Sequence, residues 1–217
     1  MSLCRRKSVV DFAGRWAHDQ RTNGTNSLPH MVQPMPETWA AADGTVITIR
    51  PISAADLALE QEFVDNLSSS TGYQRLMSTR RPSLEELRRF TDIDQERELG
   101  LIATTSVQGK ERQIGVARYV KESSPPDEAE FAIVLSDDWQ GRGLGVKLLS
   151  SLLAAAKNDG VRRLVGSTMS ENGGMLALAR KLGFKLAKDP SSATITNLTM
   201  DLAAWSPASA AAPHRHS

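Results

Sequence analysis

Residues 136–145 of the chain read Ser-Asp-Asp-Trp-Gln-Gly-Arg-Gly-Leu-Gly and join a strand-like segment to the best amphipathic helix pattern in the sequence. Glycine at positions 141, 143 and 145 permits a tight turn and a close approach of the main chain to a ligand. The first turn of the following helix would point N–H groups and the positive end of its dipole at this turn. The stretch therefore predicts an anion-binding site, to which Arg142 adds a charged side chain.

The segment that follows, residues 143–158, repeats apolar residues at helical spacing, and Gly160 is suitably placed to end the helix. The apolar stripe consists of Leu144, Leu148, Leu149, Leu152, Leu153 and Ala156. A helix with one apolar stripe packs that face on a sheet.

Strand-like segments lie on both sides of this helix and predict a mixed α/β domain with a central sheet. The three consecutive strands within 99–135 suggest an antiparallel meander, with a turn at residues 108–110. The predicted strands are 45–50, 99–107, 113–120, 129–135, 163–168, 184–187 and 193–202. The other predicted helices begin after Ser53, cover 83–90 with a capping box between Ser83 and Glu86, and cover 174–182 with Gly183 closing the last.

Both ends of the chain are predicted to be flexible tails, residues 1–42 and 204–217, around one domain over residues 43–203. The first lacks sustained periodicity, and the second is rich in Ser, Ala and Pro. Trp16 and Trp39 are exceptions, because aromatic residues are scarce in disordered segments and either one would suit docking onto the domain or a partner chain. A homodimer is therefore left open.

Charge and hydrophobic patterning exclude several classes of function. The sequence has 26 Lys and Arg residues against 25 Asp and Glu residues, a formal net charge of +1. No global field attracts nucleic acid or an anionic membrane, so neither partner is expected. The longest mainly apolar run, residues 148–156, is too short to span a bilayer. We expect a cytoplasmic protein that holds a charged ligand by local contacts.

The positions of the single cysteine and the four histidines argue against several kinds of catalytic and metal-binding site. Cys4 lies in the predicted N-terminal tail, and no histidine lies between residues 31 and 213. A disulfide framework, a histidine-based catalytic triad and a Cys- or His-ligated metal site are therefore not expected. An enzyme built on this chain would use a carboxylate or an ordered water as its proton acceptor.

Two motifs resemble the GNAT superfamily of acyl-CoA-dependent N-acetyltransferases. Residues 140–145, Gln-Gly-Arg-Gly-Leu-Gly, are similar to the family's diphosphate loop, Gln/Arg-x-x-Gly-x-Gly/Ala. Residues 172–184 are similar to its second motif, Asn-x-x-Ala-x-x-Leu-Tyr-x-Lys-x-Gly-Phe. The resemblance covers about residues 45–202 and is closest to the GNAT domain of bacterial protein lysine acetyltransferases, which residues 49–52, 67–75, 93–98 and 129–134 also resemble.

The resemblance implies the GNAT fold, an α/β fold with a mixed central sheet of about seven strands and helices on both faces. It implies an enzyme that transfers an acetyl group from acetyl-CoA to a primary amine, with a protein lysine as the favoured acceptor and no metal. Two alternatives stay open. In the first, the acceptor would be a small-molecule amine; in the second, the domain would be a non-catalytic acyl-CoA sensor.

The resemblance also implies a set of donor-binding residues. The main chain of residues 133–135 would pair with the pantetheine arm where the strand splays from its neighbour, and the Leu135 N–H would polarise the thioester carbonyl. Asn172 would donate a hydrogen bond to the arm, although an asparagine beside two glycines is also typical of a helix cap. The implied donor-binding residues are Ile133, Leu135, Gln140, Gly141, Arg142, Gly143, Leu144, Gly145, Asn172 and Met175.

Glu130 is the candidate general base. It interrupts an otherwise apolar strand and shares a face with Ala132 and Val134, so burial would raise its pKa toward the working range. The alternative from the residues alone is a carboxylate that reaches water near a strand end, and the resemblance favours the base. Glu128 and Asp94 are weaker candidates.

The family pattern is broken at Ala179, where many members have a tyrosine that protonates the leaving thiolate. No side-chain acid is assigned at that position. Three further residues, Tyr73, Arg75 and Arg97, would suit the acceptor side but are not assigned a catalytic role.

Overall fold

The computed structural model describes residues 34–68, 71, 82–122, 125 and 127–206. Its elements, in chain order, are β1 (Glu37–Ala40), β2 (Val46–Pro51), a 3-10 turn (Ala54–Asp56) leading into α1 (Leu57–Asp65), α2 (Leu84–Thr91), β3 (Glu98–Val107), β4 (Lys110–Lys121), β5 (Glu128–Leu135), a 3-10 turn (Asp137–Trp139), α3 (Leu144–Asn158), β6 (Arg163–Met169), α4 (Gly173–Leu182), β7 (Lys185–Asp189) and β8 (Ser192–Asp201). Residues 1–33 and 207–217 of the predicted tails, together with Tyr73 and Arg75, lie outside the described residues.

The strands of the described chain form one eight-stranded sheet in the order β1-β2-β3-β4-β5-β6-β8-β7. All neighbouring pairs are antiparallel except β5 and β6, which are parallel. The predicted mixed sheet and the predicted β3–β4–β5 meander are confirmed. The strand beyond the predicted seven is β1.

β1 lies within residues 37–42, which the sequence predicts to be tail, so the folded part of the chain begins before residue 43. It pairs with β2 from Glu37 opposite Ile49 to Ala40 opposite Val46. At the other end Trp205, also in a predicted tail, is only 4% exposed and packs into the core. A four-residue strand is too short to show an alternating pattern, and a lone aromatic residue gives no periodicity.

Helices cover both faces of the sheet, as predicted. On one face the apolar stripe of α3 and the buried residues of α4 pack into the main core, and all six predicted stripe residues of α3 are completely buried. On the other face α1 packs on β3, β4 and β5 through Phe63, and α2 packs through Leu87 and Phe90. None of the helices in the described ranges is long and apolar enough to cross a membrane.

The predicted helix ends are confirmed by their cap geometry. Ser83 and Glu86 form the reciprocal capping box at the start of α2, with bonds of 2.7 and 3.3 Å. Gly160 and Gly183 follow α3 and α4 with φ of +80° and +87°, a conformation that favours glycine.

Candidate functional site

β5 and β6 separate from each other partway along their length. They pair only over residues 128–130 and 163–165. β5 then continues to Leu135 and β6 to Met169 with no further pairing between these two strands, both of which are fully described. A gap between adjacent strands therefore opens toward the end of β5.

The main chain of β5 presents hydrogen-bond donors to this gap. The N–H of Ser136, directly after β5, donates to the carbonyl of Ile114 in β4 over 3.0 Å, so it points to the β4 side. Successive N–H groups of an extended chain alternate between its two edges. The N–H groups of Ile133 and Leu135 therefore point toward β6 and into the gap.

Phe131 is the first residue of β5 beyond the paired segment, and its side chain is buried in the main core. Its ring lies so close to Gly166 of β6 that a Cβ at position 166 would be 2.7 Å from the ring. On its other side, the ring centroid is 5.0 Å from that of Phe184. Glycine at position 166 leaves the room that this ring occupies in the core.

The turn between β5 and α3 has the backbone that its glycines predict. Gly141 and Gly143 have φ of +73° and +88°, and Gly143 is the N-cap of α3. Residues 141–143 are exposed. The first N–H groups of α3 have no acceptor within the helix, so they and the helix dipole are available to an anion at this turn. We call residues 140–145 the donor turn.

The donor turn lies at the open end of the gap. The side-chain amide of Gln140 is 3.5 Å from the carbonyl oxygen of Leu135. A Cβ on Gly145 would be 3.3 Å from the side chains of both Leu135 and Leu178, so α3, α4 and the end of β5 meet there. Predicted donor-binding residues from these elements thus surround one gap.

Asn172 and Met175 lie at the start of α4. The Oδ1 atom of Asn172 accepts the N–H of Met175 over 3.0 Å, which is the helix-cap role that the sequence left open. That bond does not use the NH2 group of the same side chain, which can still donate to a ligand. Met175 packs half-buried against the core. Ala179 is completely buried and brings no hydroxyl to the site.

Glu130 lies where the gap begins, because it is the last residue of β5 that pairs with β6. It is half-buried on the sheet face that α1 and α2 cover, the same face as Val134. Its neighbours across the sheet are Val120 and Val165.

The two weaker candidates for a general base have contacts of their own. Glu128 forms an ion pair with Arg163 over 2.9 Å. Asp94 is exposed, and its carboxylate accepts an N–H within its own turn. Among the described residues, no group of three or more His, Cys, Asp or Glu side chains could hold a metal ion.

β1 contacts α3 through Glu37, a contact that the sequence did not predict. The carboxylate of Glu37 accepts hydrogen bonds from the ammonium of Lys147, over 2.6 Å, and from the hydroxyl of Ser151. Burial by itself would raise the pKa of Glu37, but these hydrogen bonds hold it below its ordinary value. β1 is therefore fastened to the first two turns of the helix that follows the donor turn.

Trp39 and Asp43 contact the donor turn itself. Ring atoms of Trp39 lie 3.8 and 3.9 Å from the position of a Cβ on Gly143. The carboxylate of Asp43 is 3.3 Å from the guanidinium of Arg142, whose central carbon lies 5.3 Å from the ring centroid of Trp139. Trp39 was the one sequence signal of this contact, as an aromatic residue in a supposed tail.

Asp137 links the chain after α1 to the 3-10 turn that precedes the donor turn. It accepts the N–H and hydroxyl of Ser68 over 3.0 and 2.8 Å, and the hydroxyl of Thr71 over 2.8 Å. Burial raises the pKa of Asp137, but these bonds outweigh it and lower the pKa. Nothing in the sequence distinguishes Asp137 from the solvated acid beside it.

Three comparisons with known proteins agree with this architecture. A family model described as "Acetyltransferase (GNAT) domain" matches residues 47–185. Acetyltransferase PA5475 of Pseudomonas aeruginosa is 29% identical over 153 residues, which cover 70% of this chain and 82% of that protein. Acetyltransferase Pat of Mycolicibacterium smegmatis is 30% identical over 135 residues, which cover 62% of this chain and 40% of Pat.

The fold is shared with the GNAT domain of S. lividans PAT, a solved structure that superposes with a TM-score of 0.69 at 26% identity, covering 81% of this chain and 99% of that one. The family model spans more than half of the chain, including the gap, the donor turn and α4. The chain therefore belongs to the GNAT family and is an N-acetyltransferase.

Proposed function

We propose that this enzyme transfers an acetyl group from acetyl-CoA to a primary amine, and that the favoured acceptor is a protein lysine. GNAT acetyltransferases use acetyl-CoA as the acyl donor, and the β5–β6 gap with the donor turn at its open end is the observation that carries the proposal for this chain. The lysine acceptor is supported by the sequence resemblance to bacterial protein lysine acetyltransferases, and the chain also matches Acetyltransferase Pat. That match covers 40% of Pat, so the proposal extends to no property of the rest of Pat.

The described residues carry hydrogen-bonding and charged groups that suit the parts of acetyl-CoA. N–H groups at the start of α3 and the guanidinium of Arg142 suit a diphosphate. The N–H groups of Ile133 and Leu135 suit the amides of a pantetheine arm, to which the NH2 of Asn172 is also available. Each such contact is weak when exposed, about 0.3 to 1 kcal/mol at a helix end, so binding depends on several contacts acting together.

Glu130 acts as the general base. A lysine amine with a pKa near 10.4 is deprotonated in only about one molecule in several thousand at neutral pH, which costs roughly 4 to 5 kcal/mol. Glu130 is the carboxylate that β5 carries at the start of the gap. It takes the proton from the incoming amine, directly or through a water molecule.

The positions of Ile133 and Leu135 along β5 suggest different roles for their N–H groups. At about 3.3 Å per residue, Ile133 lies about 10 Å and Leu135 about 16 Å from Glu130. The amine must reach both the base and the thioester carbon, so the N–H of Ile133 is the better donor to the thioester carbonyl. The N–H of Leu135, to which the family resemblance assigns that role, then holds the arm nearer to the donor turn.

The reaction balances without a covalent enzyme intermediate. The amine nitrogen gives one proton through Glu130 to solvent and forms a bond to the thioester carbon. The C–S bond then breaks, and the nitrogen releases a second proton to solvent, so each acetylated ammonium releases two protons. The thiolate leaves without a side-chain acid, because Ala179 brings none and a thiol with a pKa of about 8.5 is a tolerable leaving group.

The Glu130→Gln variant tests this proposal. We expect it to bind CoA as tightly as the wild type but to lose at least about 100-fold in kcat, the low end for loss of a general base. Glu128→Gln is the matched control, since Glu128 lies two residues away and pairs with Arg163. Equal rates for Glu130→Gln and the wild type would remove Glu130 from the mechanism.

The acceptor is tested separately with a panel of protein substrates and a panel of polyamines and aminoglycosides. Turnover on proteins supports the lysine acceptor. Turnover on small amines alone would reject it, and tight CoA binding without turnover on either panel would favour a sensor domain.

A further inference from the structure

The donor turn and its surroundings carry more negative than positive side chains. The cations of this region, Arg142 and Lys147, are outnumbered by the anions Glu37, Asp43, Asp137 and Asp138, which gives the described groups a net charge of −2. A diphosphate arriving here therefore meets net repulsion from side chains. The main-chain N–H groups at the start of α3 must supply much of the attraction.

Asp43 is held in position by the turn that follows β1. Its Oδ1 atom accepts the N–H of Thr45 over 3.0 Å, which leaves Oδ2 facing Arg142 at 3.3 Å. The hydrogen bond from Thr45 and the charge of Arg142 lower the pKa of Asp43, so its carboxylate is ionised at neutral pH. The turn thereby presents a fixed negative charge to the guanidinium.

We propose that Asp43 moderates the affinity of the site for its donor by competing with the diphosphate for Arg142. The inference rests on the proposed function, because it takes the ligand of the donor turn to be CoA. The Asp43 and Arg142 side chains are 48% and 51% exposed, so an incoming anion can reach both. It must share the guanidinium with Asp43 or displace that carboxylate.

A neutral residue at position 43 would release Arg142 to the donor. Asp43→Asn is the suitable variant, because its side-chain oxygen can still accept the N–H of Thr45 and keep the turn. We expect the Kd for CoA, measured by calorimetry at low ionic strength, to fall about two- to fivefold, in line with an exposed ion pair. The affinity should also become more sensitive to salt, because the released guanidinium is screened by added ions.

Glu62→Gln is the matched control. Glu62 forms an ion pair of similar exposure with Arg112, over 3.1 Å, on α1 and β4. We expect this variant to bind CoA with the wild-type Kd and the wild-type salt dependence. A Kd that falls equally in Glu62→Gln and Asp43→Asn would overturn the inference, since the effect would then follow net charge alone.

A double-mutant cycle with Arg142→Ala tests whether Asp43 acts through Arg142. We expect Asp43→Asn to lower the Kd for CoA by a clearly smaller factor when Arg142 is absent, because only the general repulsion by the Asp43 charge is then removed. A fall of the same factor in both backgrounds, or a Kd that is unchanged or raised in the single variant, would overturn this inference alone. Wild-type protein that does not bind CoA would overturn the proposed donor and this inference together.

Discussion

Gly109 and Gly141 adopt the same kind of backbone conformation in two different places. Their φ angles are +78° and +73°, and a Cβ added to either would meet no atom within 4 Å. An alanine at either position therefore introduces backbone strain without a steric clash. Gly109 belongs to the hairpin between β3 and β4, whereas Gly141 belongs to the donor turn.

We predict that Gly141→Ala and Gly109→Ala lower the free energy of unfolding by similar amounts, about 1 to 2 kcal/mol. Only Gly141→Ala should weaken CoA binding, by about two- to fivefold, because relief of the strain moves N–H groups that face the anion. Urea denaturation and calorimetry measure the two effects. Equal loss of CoA affinity in both variants would contradict the assignment of this turn to the donor.

The start of α4 allows the two roles of Asn172 to be separated. Asn172→Asp keeps an oxygen that accepts the N–H of Met175 and adds a charge that suits a helix N-terminus, but it loses the NH2 group. Asn172→Ala loses both groups. The two variants therefore differ in helix capping and agree in lacking the amide donor.

We predict that Asn172→Ala lowers the free energy of unfolding by about 1 kcal/mol and that Asn172→Asp does not. Both should raise the Kd for CoA, because neither can donate an amide hydrogen bond to the pantetheine arm. Thermal unfolding with calorimetry checks the pair. An aspartate variant that binds CoA as tightly as the wild type would reduce Asn172 to a helix cap.

The elements differ in how readily the sequence predicts them. Some are specified by residues close to them in the sequence, whereas others depend on residues far away in the sequence. α3 is specified locally, by its buried leucine stripe and by the glycines on either side. β1 pairs with the neighbouring strand β2, but its contact with α3 depends on a distant residue, since Glu37 binds a lysine 110 positions away. A four-residue strand is too short to give a local pattern of its own.

At the scale of the molecule, the sequence singles out the groups that we propose to face a ligand more readily than the groups that hold their segments in place. Glu130 was singled out because a charged residue interrupts an apolar strand and because the family resemblance assigns a base there, and the donor turn was singled out by its glycines and its motif. Asp43 and Asp137 were not predicted as part of the site, because their partners come from other elements and an acidic residue in a turn is ordinarily solvated.

Three carboxylates fasten outer segments to the body of the fold, namely Glu37, Asp56 and Asp137. Burial by itself would raise the pKa of each, but hydrogen bonds from their partners lower it below the ordinary value. A pKa that is lower in the folded state gives stability that is complete above the unfolded pKa, about 4. That stability is lost as the pH falls through the folded pKa.

Asp56 provides the sharpest test of this acid sensitivity, because it is only 4% exposed and accepts hydrogen bonds from Arg50, over 2.8 and 2.9 Å, and from the N–H of Ser53. We predict that Asp56→Asn lowers the free energy of unfolding by about 2 kcal/mol at neutral pH. Glu111→Gln, which removes the exposed second partner of Arg50, should lower the free energy of unfolding by less than about 1 kcal/mol.

The pH dependence separates charge from packing. In urea denaturation series from about pH 7 to pH 3, the deficit of Asp56→Asn in the free energy of unfolding should shrink below about pH 4, because the wild-type carboxylate takes up a proton. A deficit that stays constant across that range would mean that the packing of Asp56, and not its charge, holds the start of α1 on β2.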